Sequence, residues 1–120
     1  LLNRAGLIPN QVVSVYNITN GHRFETYIIE APASSGEVTI NGAAAHLATR
    51  GDKVIIVTYH QMPWADALSW EPTVLFVDGE NKVISQSEAQ ANIEDQKDAV
   101  DVSTKKKQKT RKGQSGRKAA

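Results

Sequence analysis

The chain has 120 residues, 40% of them apolar and 6% aromatic, a formal net charge of +1 and no cysteine. That length suits one domain, the missing thiols exclude disulfides, thiolate catalysis and cysteine-ligated zinc, and no apolar run nears the roughly 20 residues of a membrane-crossing helix. The charge is uneven: residues 1–84 carry −3 and all seven aromatics, whereas residues 85–120 carry +4 and no aromatic, so the second stretch lacks the makings of a core.

Leu1–Ala5 reads as the last turn of a helix, with Gly6 as its terminator and Pro9-Asn10 as a turn. The opening without Met on "LLNRAG" suggests a true start further upstream, and no signal peptide is visible. Val12, Val13, Val15 and Tyr16 have the β-propensity of a strand. Asn20-Gly21 signals a two-residue type I′ turn, and His22–Glu30 returns as a second strand, so residues 12–30 are expected to form a hairpin. A period of two places Arg23, Glu25, Tyr27 and Ile29 on one face, and Phe24, Thr26, Ile28 and Glu30 on the other.

Ala31–Gly36 is a loop, and Glu37–Ile40 a short strand. The alanines of Ala43–Thr49 favour a short helix after Asn41-Gly42. "KVIIVTYH", Lys53–His60, is the most continuous β-branched run, expected as a central strand buried on both faces. Thr73–Val77 and Lys82–Ile84 complete the strands, separated by Asp78-Gly79. Short strands with one or two short helices suit a small barrel or compact all-β domain. Ser85–Val100 has the composition of a weak helix, and Ser103–Ala120, with eight basic residues and no acid, that of a disordered tail. Such a tail offers weak, salt-dependent, non-specific contact with polyanions and no base stacking.

His22, His46 and His60 have no metal-ligand spacing, and no metal is expected. Arg23 and Tyr27 share a strand face, where a guanidinium fork can grip a carboxylate and a phenol can donate a proton to a developing carbanion. An ordinary exposed hairpin face explains the same pair. "NGAAAH", Asn41–His46, offers main-chain N–H groups with little side-chain bulk, or simply a tightly packed turn.

These two segments with their flanks, "VYNITNGHRFETYIIEAP" and "GEVTINGAAAHLATRGDKVIIVTYHQMP", together with "PTVLFVDGENKVI", resemble the pyruvoyl-dependent aspartate 1-decarboxylase family over residues 1–84. The resemblance implies an all-β, small double-psi β-barrel in a cytoplasmic homotetramer, with active sites between subunits. It implies decarboxylation of L-aspartate to β-alanine and CO2 through a Schiff base, on the route to pantothenate and coenzyme A. The covalent pyruvoyl group arises from a serine by autocatalytic cleavage of a Gly-Ser bond in a zymogen. Arg23 and Tyr27 match the catalytic pair, Arg23 gripping the side-chain carboxylate and Tyr27 returning the proton. Thr26, Gly42, Ala43 and Ala44 match substrate-binding positions. Asn41 and Tyr16 match supporting ones, Tyr16 standing where many relatives have tryptophan. None of the eight glycines is followed by serine, so the pyruvoyl-forming serine is expected upstream or on another chain. The alternative is a catalytically inactive or truncated barrel homologue acting as a structural or binding subunit.

Overall fold

The computed structural model describes residues 1–93, and the expected basic tail lies outside the described residues. In chain order the elements are helix α1 (Leu2–Ala5), strands β1 (Val12–Asn17) and β2 (Arg23–Tyr27), a 3₁₀ segment (Gly42–His46), β3 (Val54–Val57), helix α2 (Trp64–Ala67), β4 (Phe76–Val77) and β5 (Val83–Ile84). Residues 86–93 are helical. Gly6 ends α1 in the left-handed region at φ 69°, where its N–H reaches the carbonyl of Asn3, as its position predicts.

β1 is the centre of a three-stranded antiparallel sheet in the order β2-β1-β3, and β4 and β5 form a separate two-stranded sheet. The register sets Tyr16 opposite Arg23 on one side and Ile55 on the other, with Val12 opposite Tyr27 at the far end of the hairpin. One face of this sheet packs inward: Val13 and Val15 are buried, with Asn17 beyond them on the same face. Ile28 and Ala89 are also buried. Ala89 belongs to the helical stretch from residue 86, whose start is closed by a reciprocal pair, Ser85 N–H to Glu88 Oε2 at 2.8 Å and Glu88 N–H to Ser85 Oγ at 3.3 Å.

The expectation of an all-β double-psi barrel is not met. Two open sheets and three short helices make a small mixed α/β fold, and no strand pairing joins the sheets among the described residues. Closure needs every strand to be paired on both edges. Residues 37–40 form no strand, and the expected strands 73–77 and 82–84 shrink to two residues each. The "KVIIVTYH" run is likewise an edge rather than a centre: only Val54–Val57 pair, and Ile55 and Ile56 are exposed. A β-branched run reports a preference for extended backbone, and does not say which neighbour will cover it.

The hairpin forms, but without the tight two-residue turn. Asn17 N–H still reaches the His22 carbonyl at 2.8 Å, and Gly21 N–H closes on the Asn17 carbonyl at 2.8 Å. Gly21 has φ 81°, whereas Asn20 is not in the positive-φ region that type I′ demands of it. The Asn17 side-chain oxygen accepts from the N–H groups of Thr19 and Asn20, and this local alternative displaces the tighter turn.

Candidate functional site

The face of the sheet opposite the buried valines carries Val12, Ser14 and Tyr16 from β1, Arg23, Glu25 and Tyr27 from β2, and Ile55 and Val57 from β3. Pairing therefore brings Tyr16 beside Arg23, and the Arg23 guanidinium carbon lies 4.6 Å from the Tyr16 ring centroid. Glu25 shares the face, yet the Arg23 guanidinium forms no ion pair or hydrogen bond among the described residues. Its fork is available for an incoming carboxylate. Tyr27 is exposed on the same face, four residues or about 13 Å along the strand from Arg23. Thr26 is half-buried and lies on the other face, opposite Val13, away from both.

Asn41 is extended (φ −128°, ψ 176°) and enters the 3₁₀ segment without a side-chain cap, so it leaves the leading N–H groups uncapped. Gly42 takes φ 61°, the conformation that favours glycine. Asn41, Gly42 and Ala43 are exposed and Ala44 is half-buried. No hydrogen bond joins Asn41–Ala44 to Arg23 or Tyr27 among the described residues. What relates the two segments is an anchor just past the 3₁₀ segment. The Leu47 carbonyl accepts from Asn17 Nδ2 at 3.1 Å and from Asn20 Nδ2 at 3.0 Å. Asn17 Nδ2 also reaches Asp52 Oδ2 at 2.8 Å, and the same oxygen takes the Thr49 N–H at 2.9 Å. Asn17 is only 2% exposed: its amide N–H groups go into this junction, and its oxygen takes the N–H groups of Thr19 and Asn20 in the turn. The Thr49 N–H, then the Asn17 amide, hold the Asp52 carboxyl below the usual aspartate range against a smaller desolvation effect.

The Tyr16 phenol has a partner that periodicity does not reveal. Its hydroxyl lies 2.6 Å from that of Tyr59, which is 43 residues further along the chain, just past β3. Asn17, Asn20, Asp52 and Tyr59 are the residues that sequence reasoning leaves unassigned. The run "NITNG" carries a usable signal for the first two, because asparagines beside a turn compete for local backbone N–H groups. Nothing in the spacing of Tyr59 points to Tyr16. A cleft of 470 Å3 lined by Arg4, Pro72, Val74, Phe76, Val83 and Ile84 contains none of the candidate residues. Arg4 and Gln86 are its polar side chains. No group of His, Asp and Glu fit to hold a metal ion occurs among the described residues, and no described helix is long and apolar enough to cross a membrane.

The donor set is chemically suited to a carbonyl group and a dicarboxylate. It consists of one guanidinium, one exposed phenol, one primary amide and the uncapped N–H groups of a segment with little side-chain bulk. A pyruvoyl group fits such donors, since its oxygens are acceptors only.

The aspartate decarboxylase family profile matches residues 1–84. Aspartate 1-decarboxylase of Acaryochloris marina is 52% identical over 87 residues, which cover 72% of this chain and 66% of that relative. The Myxococcus xanthus protein of the same name is 49% identical over 84 residues, 70% of this chain and 65% of the relative. That of Caulobacter vibrioides is 51% identical over 83 residues, 69% of this chain and 70% of the relative. The chain thus spans about two thirds of the length of these curated relatives.

Proposed function

Because the chain belongs to the aspartate decarboxylase family, we propose that the Arg23–Tyr27 face and the Asn41–Ala44 segment serve the decarboxylation of L-aspartate to β-alanine and CO2. The observation that carries this reading is the free guanidinium fork of Arg23, laid on the Tyr16 ring and sharing a strand face with the exposed phenol of Tyr27. Arg23 grips the side-chain carboxylate of aspartate in a bidentate, charge-assisted pair, selecting a substrate with two carboxylates and orienting the bond to the departing one. Tyr27 holds a proton on its phenol oxygen and delivers it to the carbon from which CO2 has left. The N–H groups of Gly42–Ala44 and the Asn41 amide supply donors for oxygens on which negative charge grows. Thr26, on the far face, has no direct contact in this scheme.

The family's pyruvoyl group supplies, when bound, the electron sink that no ordinary side chain offers. No serine among these 120 residues follows a glycine, so the pyruvoyl-forming serine is taken from chain outside them. Exposed Val12, Tyr27 and Ile55 on the site-bearing face suit a further subunit packing there, in a cytoplasmic homotetramer with sites between neighbours.

The test is incubation of the full-length product of the gene with L-aspartate. β-Alanine and CO2 in equal amounts support the reading. Dicarboxylate binding with no β-alanine would make the protein a binding subunit instead.

A further inference from the structure

We propose that Tyr59 is a positioning residue for Arg23: its phenol pins the ring of Tyr16, and that ring carries the guanidinium. The proposal rests on the reading of Arg23 as the carboxylate grip and adds to it the device that holds the grip still.

An arginine on an exposed strand face has several rotamers open to it, and its side chain loses that freedom on binding. Laying the guanidinium over an aromatic face removes much of that freedom beforehand. It leaves the N–H edges of the fork pointing outward, where a carboxylate takes them. The cross-strand pairing of Tyr16 with Arg23 provides the platform. The platform is useful only if the ring keeps its orientation, and Tyr16 is itself only half-buried. Tyr59 closes that gap. It lies two residues past the end of β3, and its hydroxyl meets that of Tyr16 at 2.6 Å, at the short end for a bond between hydroxyls.

The bond requires that a phenol proton stay in place. It does: the hydrogen bond to Tyr16 first, then desolvation and the proximity of Tyr16, push the Tyr59 phenol above its ordinary range, against a smaller opposing effect of the Arg23 charge. The lock is therefore closed throughout the neutral range. Tyr59 touches neither substrate nor reacting atoms in this account, so its effect on the chemistry runs through Tyr16 and Arg23.

The experiment uses the full chain labelled with ¹⁵N at arginine, with succinate as the dicarboxylate probe. The Arg23 Nε–Hε and Cδ proton resonances report the ring above which the guanidinium sits, with or without ligand. Tyr59→Phe and Tyr16→Phe each keep a ring and delete the phenol–phenol bond. Each should move the Arg23 resonances toward those of an unstacked arginine and weaken succinate binding about two- to fivefold. The double variant should be no worse than either single one, because both delete the same bond. Unchanged Arg23 resonances in Tyr59→Phe, or single effects that multiply in the double variant, would overturn the proposal. Arg23→Gln separates the two layers. If it binds succinate as tightly as the parent, the grip reading fails, and the Arg23 resonances of Tyr59→Phe alone decide whether Tyr59 positions Arg23.

Discussion

Strand β2 and the 3₁₀ segment Gly42–His46 carry the two halves of the candidate site, and they are held in opposite ways. β2 is fixed by the ladder to β1, so its side chains take their places from register alone, and Arg23 meets Tyr16 because the two are paired. The 3₁₀ segment belongs to no sheet. Its position depends on two asparagine amides from the neighbouring hairpin, on one carboxylate and on a single carbonyl, that of Leu47. A ladder spreads its load over many backbone bonds and tolerates side-chain change. A junction built on one buried amide does not. Side-chain chemistry is thus displayed on the robust element, and main-chain N–H groups on the vulnerable one.

The largest expected effect lies on the robust side and concerns chemistry rather than fold. Tyr27→Phe leaves the ladder and the ring intact, so melting should not change. Turnover of aspartate by the full-length product should fall about 10²–10⁴-fold, the usual worth of a positioned proton donor, with little change in dicarboxylate affinity. A parent-like rate would mean that the proton comes from elsewhere.

On the vulnerable side, Asn17→Ala strips the Asp52 carboxylate and the Thr19 and Asn20 N–H groups of a buried partner in one step. It should cost about 2–3 kcal/mol of stability in a urea titration, with the amide signals of residues 41–47 shifting more than those of β2. Equal shifts in both regions would erase the distinction drawn between them.

A gentler probe of the same junction is pH. The Asp52 carboxyl titrates below its ordinary value because Thr49 and Asn17 donate to its charged form. A depressed folded pKa gives stability that is present above the unfolded value of about 4 and lost as pH falls through the folded one. Amide signals of residues 47–52 should therefore move on the acid side of about pH 4. Asp52→Asn, which keeps an acceptor oxygen, should abolish that movement while changing the neutral-pH structure little. Movement that persists in Asp52→Asn would assign the titration to another carboxyl, with Asp78 and Glu88, both also lowered, as the next to examine.

The smallest effect returns to the ladder. Glu25→Gln, between Arg23 and Tyr27 on an exposed face, should change stability by no more than about 0.5 kcal/mol. A larger loss would show that β2 leans on its side chains after all.

The same contrast explains what was legible in the sequence. The hairpin, the Gly6 cap and the shared face of Arg23 and Tyr27 follow from local rules of period and backbone preference, and all three appear in the structure. The 3₁₀ segment lies where the alanines after Asn41-Gly42 place a helix, though tighter and shorter than an α-helix over 43–49. The expected barrel does not form among the described residues, because closure depends on which edges meet, and β-propensity in "KVIIVTYH" or "GEVTI" says nothing of partners. Asn17, Asp52 and Tyr59 act across 30 to 43 residues through single hydrogen bonds, which leave no periodic trace. Thr26 lies on the face away from Tyr27, where the period of two places it.

The central claim is that the β2 face and the 3₁₀ segment act on one bound molecule although no bond joins Arg23 or Tyr27 to Asn41–Ala44. The most direct measurement is a succinate titration of the ¹⁵N-labelled full chain, following Arg23 Nε together with the amides of Gly42, Ala43 and Ala44. All four signals should move along one binding curve, and Arg23→Gln should abolish the movement at the alanines as well. Movement at Arg23 alone, or separate curves for the two segments, would contradict it.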